Sequence, residues 1–143
     1  KADEKKIHVI EFWATWCGPC RTSIPHLTKL QKKFKNKGVT IIGVTDEKKS
    51  TVERFVRREV EQMEYTVAIE KGDSMSQSYM RAYGQTGIPS AFVVDQKDRI
   101  VWVGHPMNGL EEVIDRLVKG TFDLEAAIAK AKGHIRLQQL SVQ

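Results

Sequence analysis

The stretch Trp13-Ala14-Thr15-Trp16-Cys17-Gly18-Pro19-Cys20 decides how this chain is read. It overlaps Ile7 to Ala14 (IHVIEFWA), a β-branched and aromatic run that reads as a buried strand. Downstream, from Pro19 to about Phe34, the apolar residues Ile24, Leu27, Leu30 and Phe34 fall at near-helical spacing. The two cysteines therefore stand where a strand ends and a helix begins. A helix start leaves backbone N–H groups unpaired and points the positive end of its dipole outward, here at Cys17. Both effects favour thiolate over thiol, and the thiolate is the species that attacks a disulfide sulfur. Cys20, one helical turn on, can reach the same place to resolve a mixed disulfide. Pro19 suits the first helical turn, where its missing donor is no loss. The spacing thus predicts unequal roles, with Cys17 the exposed nucleophile and Cys20 the buried resolver.

These are the only two cysteines among 143 residues. A disulfide scaffold would spread its cysteines to staple distant segments. Structural zinc usually takes four ligands, and His8, His26, His105 and His134 offer no His pair at metal spacing. Redox chemistry is what remains, with no metal. Hydrophobic residues make up 41% and charged residues 29%, as in an ordinary globular domain rather than a disordered polymer. No apolar run approaches the roughly 20 residues that span a bilayer. Lys1 in place of Met reads as a trimmed or processed product. The formal net charge of +5 is scattered over Lys29, Lys32, Lys33, Lys35, Lys37, Arg54, Arg57 and Arg58, a pattern of solvated helix faces that establishes no nucleic-acid role.

Outward from the cysteines, Pro25 should kink the first helix, and Asn36-Lys37-Gly38 should stop it, with Gly38 available for a left-handed cap. Val39 to Thr45 reads as a central strand. Val52, Phe55, Val56, Val60 and Met63 mark one face of a second helix, and Tyr65 to Glu70 reads as a short strand. Ser74 to Tyr83 is predicted helical, with Met75, Tyr79 and Ala82 or Tyr83 facing inward. After the loop Gly84 to Pro89, Ala91 to Asp95 and Arg99 to Gly104 form a hairpin around Gln96 to Asp98. Leu110, Val113, Ile114, Leu117 and Val118 stripe a helix, and Leu124, Ala127, Ile128 and Ala131 a further one. The tail from Gly133 to Gln143 has weak periodicity. Strands alternating with helices, then a hairpin and a helix, describe an α/β sandwich with helices on both faces of a mixed sheet.

Three features together, Phe12 to Cys20 (FWATWCGPC), Pro25 eight residues past Cys17, and Gly87-Ile88-Pro89, closely resemble the thioredoxin superfamily. The helix around Phe55 with the strand around Val67, and Tyr83 to Asp95 followed by Arg99 to Gly104, look like the TlpA/ResA-type redoxin branch. The resemblance covers roughly Ile7 to Lys119. It implies a thioredoxin-like three-layer sandwich over residues 1–119, including a helix–strand insertion at about 50–70, with residues 120–143 as a C-terminal helix and tail. It also implies a thiol–disulfide oxidoreductase that reduces protein disulfides. Pro89 would follow a cis peptide bond and lie against the Cys17–Cys20 pair. The Ile88 backbone would pair with an extended substrate strand, with Trp16 as a flat apolar contact for incoming peptide and Gly18, Pro19 and Pro89 also at the substrate-binding surface. Trp13 reads as core. Thr45 and Asp46 close the second strand, where sheet-top residues of this class approach the active site.

Glu11 occupies the position where thioredoxin-like proteins often hold a buried acid. Strand alternation puts it on the face of Val9 and Trp13, opposite Ile10 and Phe12, and both faces are apolar. Such a carboxyl would be desolvated and poised to accept the Cys20 proton near neutral pH. Two departures stand out. Six polar residues cannot supply the N-terminal hairpin usual in the TlpA/ResA branch, so it is either cut away or absent in a shorter variant. Ile88 precedes Pro89, where that branch often has Thr; with Gly18-Pro19 between the cysteines, this suggests a reductant. No cofactor is expected beyond the Cys17–Cys20 disulfide. The expected partners are disulfide-containing protein substrates and an electron donor that the sequence does not identify, acting on a monomer without nucleic acid. An extracytoplasmic setting follows by resemblance, with a membrane tether conceivable outside these residues and a cytoplasmic setting as the alternative. A thiol peroxidase, and a non-catalytic binding module on the same fold, are the competing functions.

Overall fold

The computed structural model describes residues 6–59, 61–72 and 74–129. In chain order it contains β1 (Ile7–Phe12), α1 (Gly18–Phe34), β2 (Val39–Thr45), α2 (Lys49–Arg58), β3 (Thr66–Ile69), α3 (Ser74–Ala82), β4 (Ser90–Val94), β5 (Ile100–Gly104) and α4 (Leu110–Lys119). The strands form one five-stranded sheet in the order β3-β2-β1-β4-β5. β1 lies at its centre, parallel to β2 and antiparallel to β4; β3 runs parallel to β2, and β5 antiparallel to β4. The expected thioredoxin-like mixed sheet between helices is therefore present.

A central strand is buried on both faces, and β1 is apolar on both except at His8 and Glu11. Ile7 and Val9 join a core with Ile24, Leu27, Leu30 and Phe34 of α1, Val52 and Phe55 of α2, and Leu110, Val113, Ile114 and Leu117 of α4. Ile10 and Phe12 face the other way, with Val44 and Phe92, against Met75, Tyr79 and Met80 of α3. There the rings of Phe12, Tyr79 and Phe92 meet edge to face, with centroids 5.2 to 5.7 Å apart. α1 starts on Cys17 and keeps Pro25 inside it. A 3-10 turn over Lys35–Lys37 closes it, and Gly38, at φ 80°, takes the left-handed position that reverses the chain into β2.

Four local expectations are corrected. β1 ends at Phe12, so Trp13 and Ala14 lie beyond it in the loop leading to Cys17. α2 ends at Arg58, and Met63 is buried off the helix. The chain turns there because the amides of Gln62 and Met63 both donate to the Glu59 carbonyl. The Thr28 hydroxyl bonds the Gln62 carbonyl and accepts the Glu64 amide, tying that turn to α1. In α3, Met75 and Tyr79 pack inward with Met80, but Ala82 and Tyr83 are exposed; Tyr83 only reaches the Phe92 ring from outside, at 5.8 Å. Beyond α4, residues 124–129 are helical, and Phe122 and Leu124 pack on the core while Ile128 is exposed. Val60, Ala131, His134 and the tail lie outside the described residues.

Candidate active site

Cys17 has extended backbone (φ −87°, ψ 110°) and serves as the N-cap of α1. Its Sγ accepts the Cys20 N–H at 3.2 Å, so one of the helix's open donors is spent on this sulfur. The 17-residue helix behind it adds its dipole, and no acidic residue occupies the first turn to oppose it. Cys17 and Cys20 are joined as a disulfide, with Cα atoms 5.2 Å apart. The exposure expected of Cys17 is corrected: it is 4% exposed and Cys20 is 0%. The reason is tertiary. The Ile88–Pro89 bond is cis, and that loop brings the Ile88 carbonyl oxygen to 3.8 Å from Cys17 Sγ. Pro89 is buried and Ile88 half-buried, packed against both cores. Ser90 Oγ donates to the Gly87 carbonyl at 2.7 Å and holds the loop's shape.

Around the disulfide, Trp16 is 74% exposed, and Gly18 and Pro19 are exposed on the first turn of α1. Trp16 lies in the loop before Cys17, Gly18 and Pro19 in the first turn of α1, and Ile88 and Pro89 in the loop before β4. Trp13 is buried and packs on Phe55, centroids 5.4 Å apart. His26 and His105 are half-buried, and His105 accepts the Met107 N–H at Nδ1.

A residue that sequence reasoning passed over fixes the cysteine loop. Glu47 accepts the Thr15 N–H at 2.8 Å, the Thr15 hydroxyl at 2.7 Å and the Thr45 hydroxyl at 2.9 Å. Its carboxylate thereby ties the loop before Cys17 to the end of β2. Thr45 is buried as a strand-end residue, whereas Asp46 is exposed. The available signal was an acid two residues past the end of a central strand, with a threonine before the cysteine pair to receive it.

Glu11 lies on the central strand at 1% exposure, paired in register with Gly43 on one side and Ala91 on the other. Alternation along β1 sets it on the Val9 face, the face whose core includes Cys17 and Cys20. Burial removes water from the carboxylate and pushes its pKa up to about 8. Burial, with the nearby Glu11 charge, also pushes the Tyr65 phenol up. Both Glu11 oxygens, Trp13 Nε1 and Tyr65 Oη are buried without a hydrogen-bond partner. Among the described residues, no three His, Cys, Asp or Glu side chains converge as a cation site, and no helix is long and apolar enough to cross a membrane.

The arrangement is that of a dithiol centre: a capped sulfur at a helix start, a second sulfur below it, and a buried acid on the strand behind. Comparison with known proteins agrees. The Redoxin family profile matches residues 1–116. The chain is 33% identical over 93 residues to the thiol-disulfide oxidoreductase ResA of Bacillus thuringiensis subsp. konkukian, covering 64% of this chain and 50% of that protein. With ResA of Halalkalibacterium halodurans it shares 32% over 111 residues, covering 77% and 59%. The chain thus spans about half the length of the curated relatives it matches. Among solved structures, a candidate thiol:disulfide interchange protein DsbE from Chlorobium tepidum superposes with a TM-score of 0.65 at 26% identity, covering 83% of this chain and 82% of that one. A thiol:disulfide interchange protein from Bacteroides sp. gives 0.68 at 23% identity, over 85% and 78%, a likeness of fold. The chain belongs to the Redoxin family, as a TlpA/ResA-like member of the thioredoxin superfamily.

Proposed function

We propose that this protein reduces disulfides in other proteins by dithiol–disulfide exchange through Cys17 and Cys20, with Glu11 as the buried proton acceptor. The observation that carries the reading is the Cys17 sulfur itself. It accepts the Cys20 amide at the start of α1 and lies 3.8 Å from the Ile88 carbonyl. In the reduced protein, the Cys17 thiolate attacks a substrate disulfide, forming a Cys17–substrate bond and releasing the first substrate sulfur with its electron pair. Cys20 then gives its proton to the Glu11 carboxylate and bonds to Cys17 Sγ. The second substrate sulfur leaves with its electron pair and takes a proton from solvent. The Cys17–Cys20 disulfide is the product, and no cofactor enters. Exposed Trp16 supplies an apolar plate, and the Ile88 backbone, at the bend before β4, offers its polar groups to a peptide strand.

Gly18 and Pro19 between the cysteines, with Ile88 before Pro89, favour net reduction, at a potential near that of thioredoxin, about −270 mV. An extracytoplasmic setting, a single-chain working unit and a separate electron donor complete the proposal and rest on the family resemblance. Insulin reduction tests its centre. Cys17→Ser should abolish activity, and Cys20→Ser should trap mixed disulfides that dithiothreitol releases. Full activity in the Cys17→Ser protein would overturn the reading.

A further inference from the structure

Among the described residues, four buried polar atoms have no hydrogen-bond partner: Glu11 Oε1 and Oε2, Trp13 Nε1 and Tyr65 Oη. Buried polar groups are paired in roughly nine cases of ten, so four orphans ask for an explanation. Their convergence is set by a glycine. Gly43 is the register partner of Glu11 on β2, and a Cβ added to it would come within 3.0 Å of Trp13 Nε1 and 3.1 Å of Tyr65 Cε1. The missing side chain lets both rings close over the strand beside the carboxyl. The chemistry is complementary as well: an indole N–H and a phenolic O–H are donors, and an ionised carboxyl accepts only.

Among the described residues, the buried neighbours on these elements carry no charge. The strand neighbours of Glu11 are Gly43 and Ala91. The buried residues of the first half of α1 are Cys20, Ser23 and Ile24, and those of α2 are Val52 and Phe55. Arg21 and Arg58 sit over the Phe55 ring at 5.6 and 5.9 Å, the ring on which Trp13 packs. Outside Tyr65, Lys32 and Glu64 pair with each other. Among the described residues, the ionisable groups around Gly43 are thus Glu11, Tyr65 and the two cysteines once reduced.

We propose that Tyr65 is a positioning residue for the exchange reaction, its hydroxyl acting with the Trp13 indole N–H to hold the Glu11 carboxylate that receives the Cys20 proton. The inference rests on the function proposed above and deepens it. In the disulfide form the acid is neutral at pH 7 and the donors wait. In the reduced form the carboxylate that must accept a proton has no cation to support it, and two oriented dipoles take that part. Support of the charged form lowers the pH at which the base becomes available.

The test needs no variant to begin. Wild-type protein labelled with ¹³C at Glu Cδ and Tyr Cζ is titrated by NMR from pH 5 to 10. The Tyr65 Cζ signal should move with the same midpoint as Glu11 Cδ; a flat Tyr65 signal while Glu11 titrates overturns the proposal. Tyr65→Phe, which keeps the ring, should raise the Glu11 midpoint by about one unit, the scale of one hydrogen bond to a charged group. It should also slow disulfide reduction at pH 7 by about three- to tenfold, since a base of higher pKa is scarcer but stronger. In a Glu11→Gln background the same substitution should produce no further shift of the pH profile. An unchanged Glu11 midpoint in Tyr65→Phe refutes the role of Tyr65 and leaves the reductase intact. Insulin reduction that survives Cys17→Ser would instead remove the reductase and leave the titration result standing.

Discussion

Glu11→Gln makes a quantitative prediction about stability, independent of any substrate. In the oxidised protein the carboxyl titrates near 8, against 4.5 for a free glutamate. Between those two values the native state holds one proton that the unfolded chain has released. Unfolding free energy must therefore fall as pH rises, by about 1.4 kcal/mol per pH unit. The stability due to the neutral acid is fully present below pH 4.5 and is lost as pH climbs through 8, a total swing of about 5 kcal/mol. Glutamine at this position titrates nowhere. Its pH-independent effects shift the whole curve, while every other ionisable group contributes alike to both proteins. The difference between wild type and Glu11→Gln thus isolates one carboxyl. Urea denaturation of the oxidised proteins at half-unit steps from pH 5 to 8.5 provides the assay. With a urea slope of about 2 kcal/mol/M, the wild-type midpoint should fall by about 0.7 M per pH unit relative to the variant. Parallel curves across that range would show that the carboxyl is not desolvated in the native state. The proton-acceptor role would then lose its physical basis.

Two further substitutions probe the frame of the site. Glu47→Ala removes the acceptor of the Thr15 N–H, the Thr15 hydroxyl and the Thr45 hydroxyl; it should destabilise by about 2 kcal/mol and change the iodoacetamide reactivity of reduced Cys17, whereas an unaltered alkylation rate would detach this carboxylate from the cysteine loop. Gly43→Ala drives a Cβ to 3.0 Å from Trp13 Nε1 and 3.1 Å from Tyr65 Cε1. It should cost about 1–3 kcal/mol and perturb Trp13 fluorescence, and a protein of unchanged melting temperature would mean that the rings do not close over this position.

Local physics made much of the fold readable. β-branched and aromatic runs at Ile7–Ala14, Val39–Thr45 and Ala91–Asp95 read as strands, and the structure has them at Ile7–Phe12, Val39–Thr45 and Ser90–Val94. Cys17 and Cys20, three residues apart at a helix start, carry their chemistry in their spacing, because an α-turn brings such positions together wherever it occurs. The errors came where tertiary contacts outrank periodicity. Met63 is apolar at helical spacing from Phe55 and Val56, yet the chain has already turned there, held by Thr28 of α1. The inward face predicted for α3 stops at Met80 rather than Ala82 or Tyr83, since Tyr83 meets the Phe92 ring while remaining exposed.

Sequence alone therefore determined the redox pair, the strand behind it and the order of its layers, since each follows from neighbours along the chain. It also set Glu11 on the Val9 face of β1, by alternation. Only tertiary structure decided what that acid meets. Gly43 carries no signal by itself; its importance arises because Trp13 and Tyr65, 52 residues apart in number, need the volume it leaves. Glu47 likewise reaches the cysteine loop across 32 residues. Such partners are chosen by shape and by unmet hydrogen bonds in three dimensions, and neither is written in the spacing of residues along a strand or a helix.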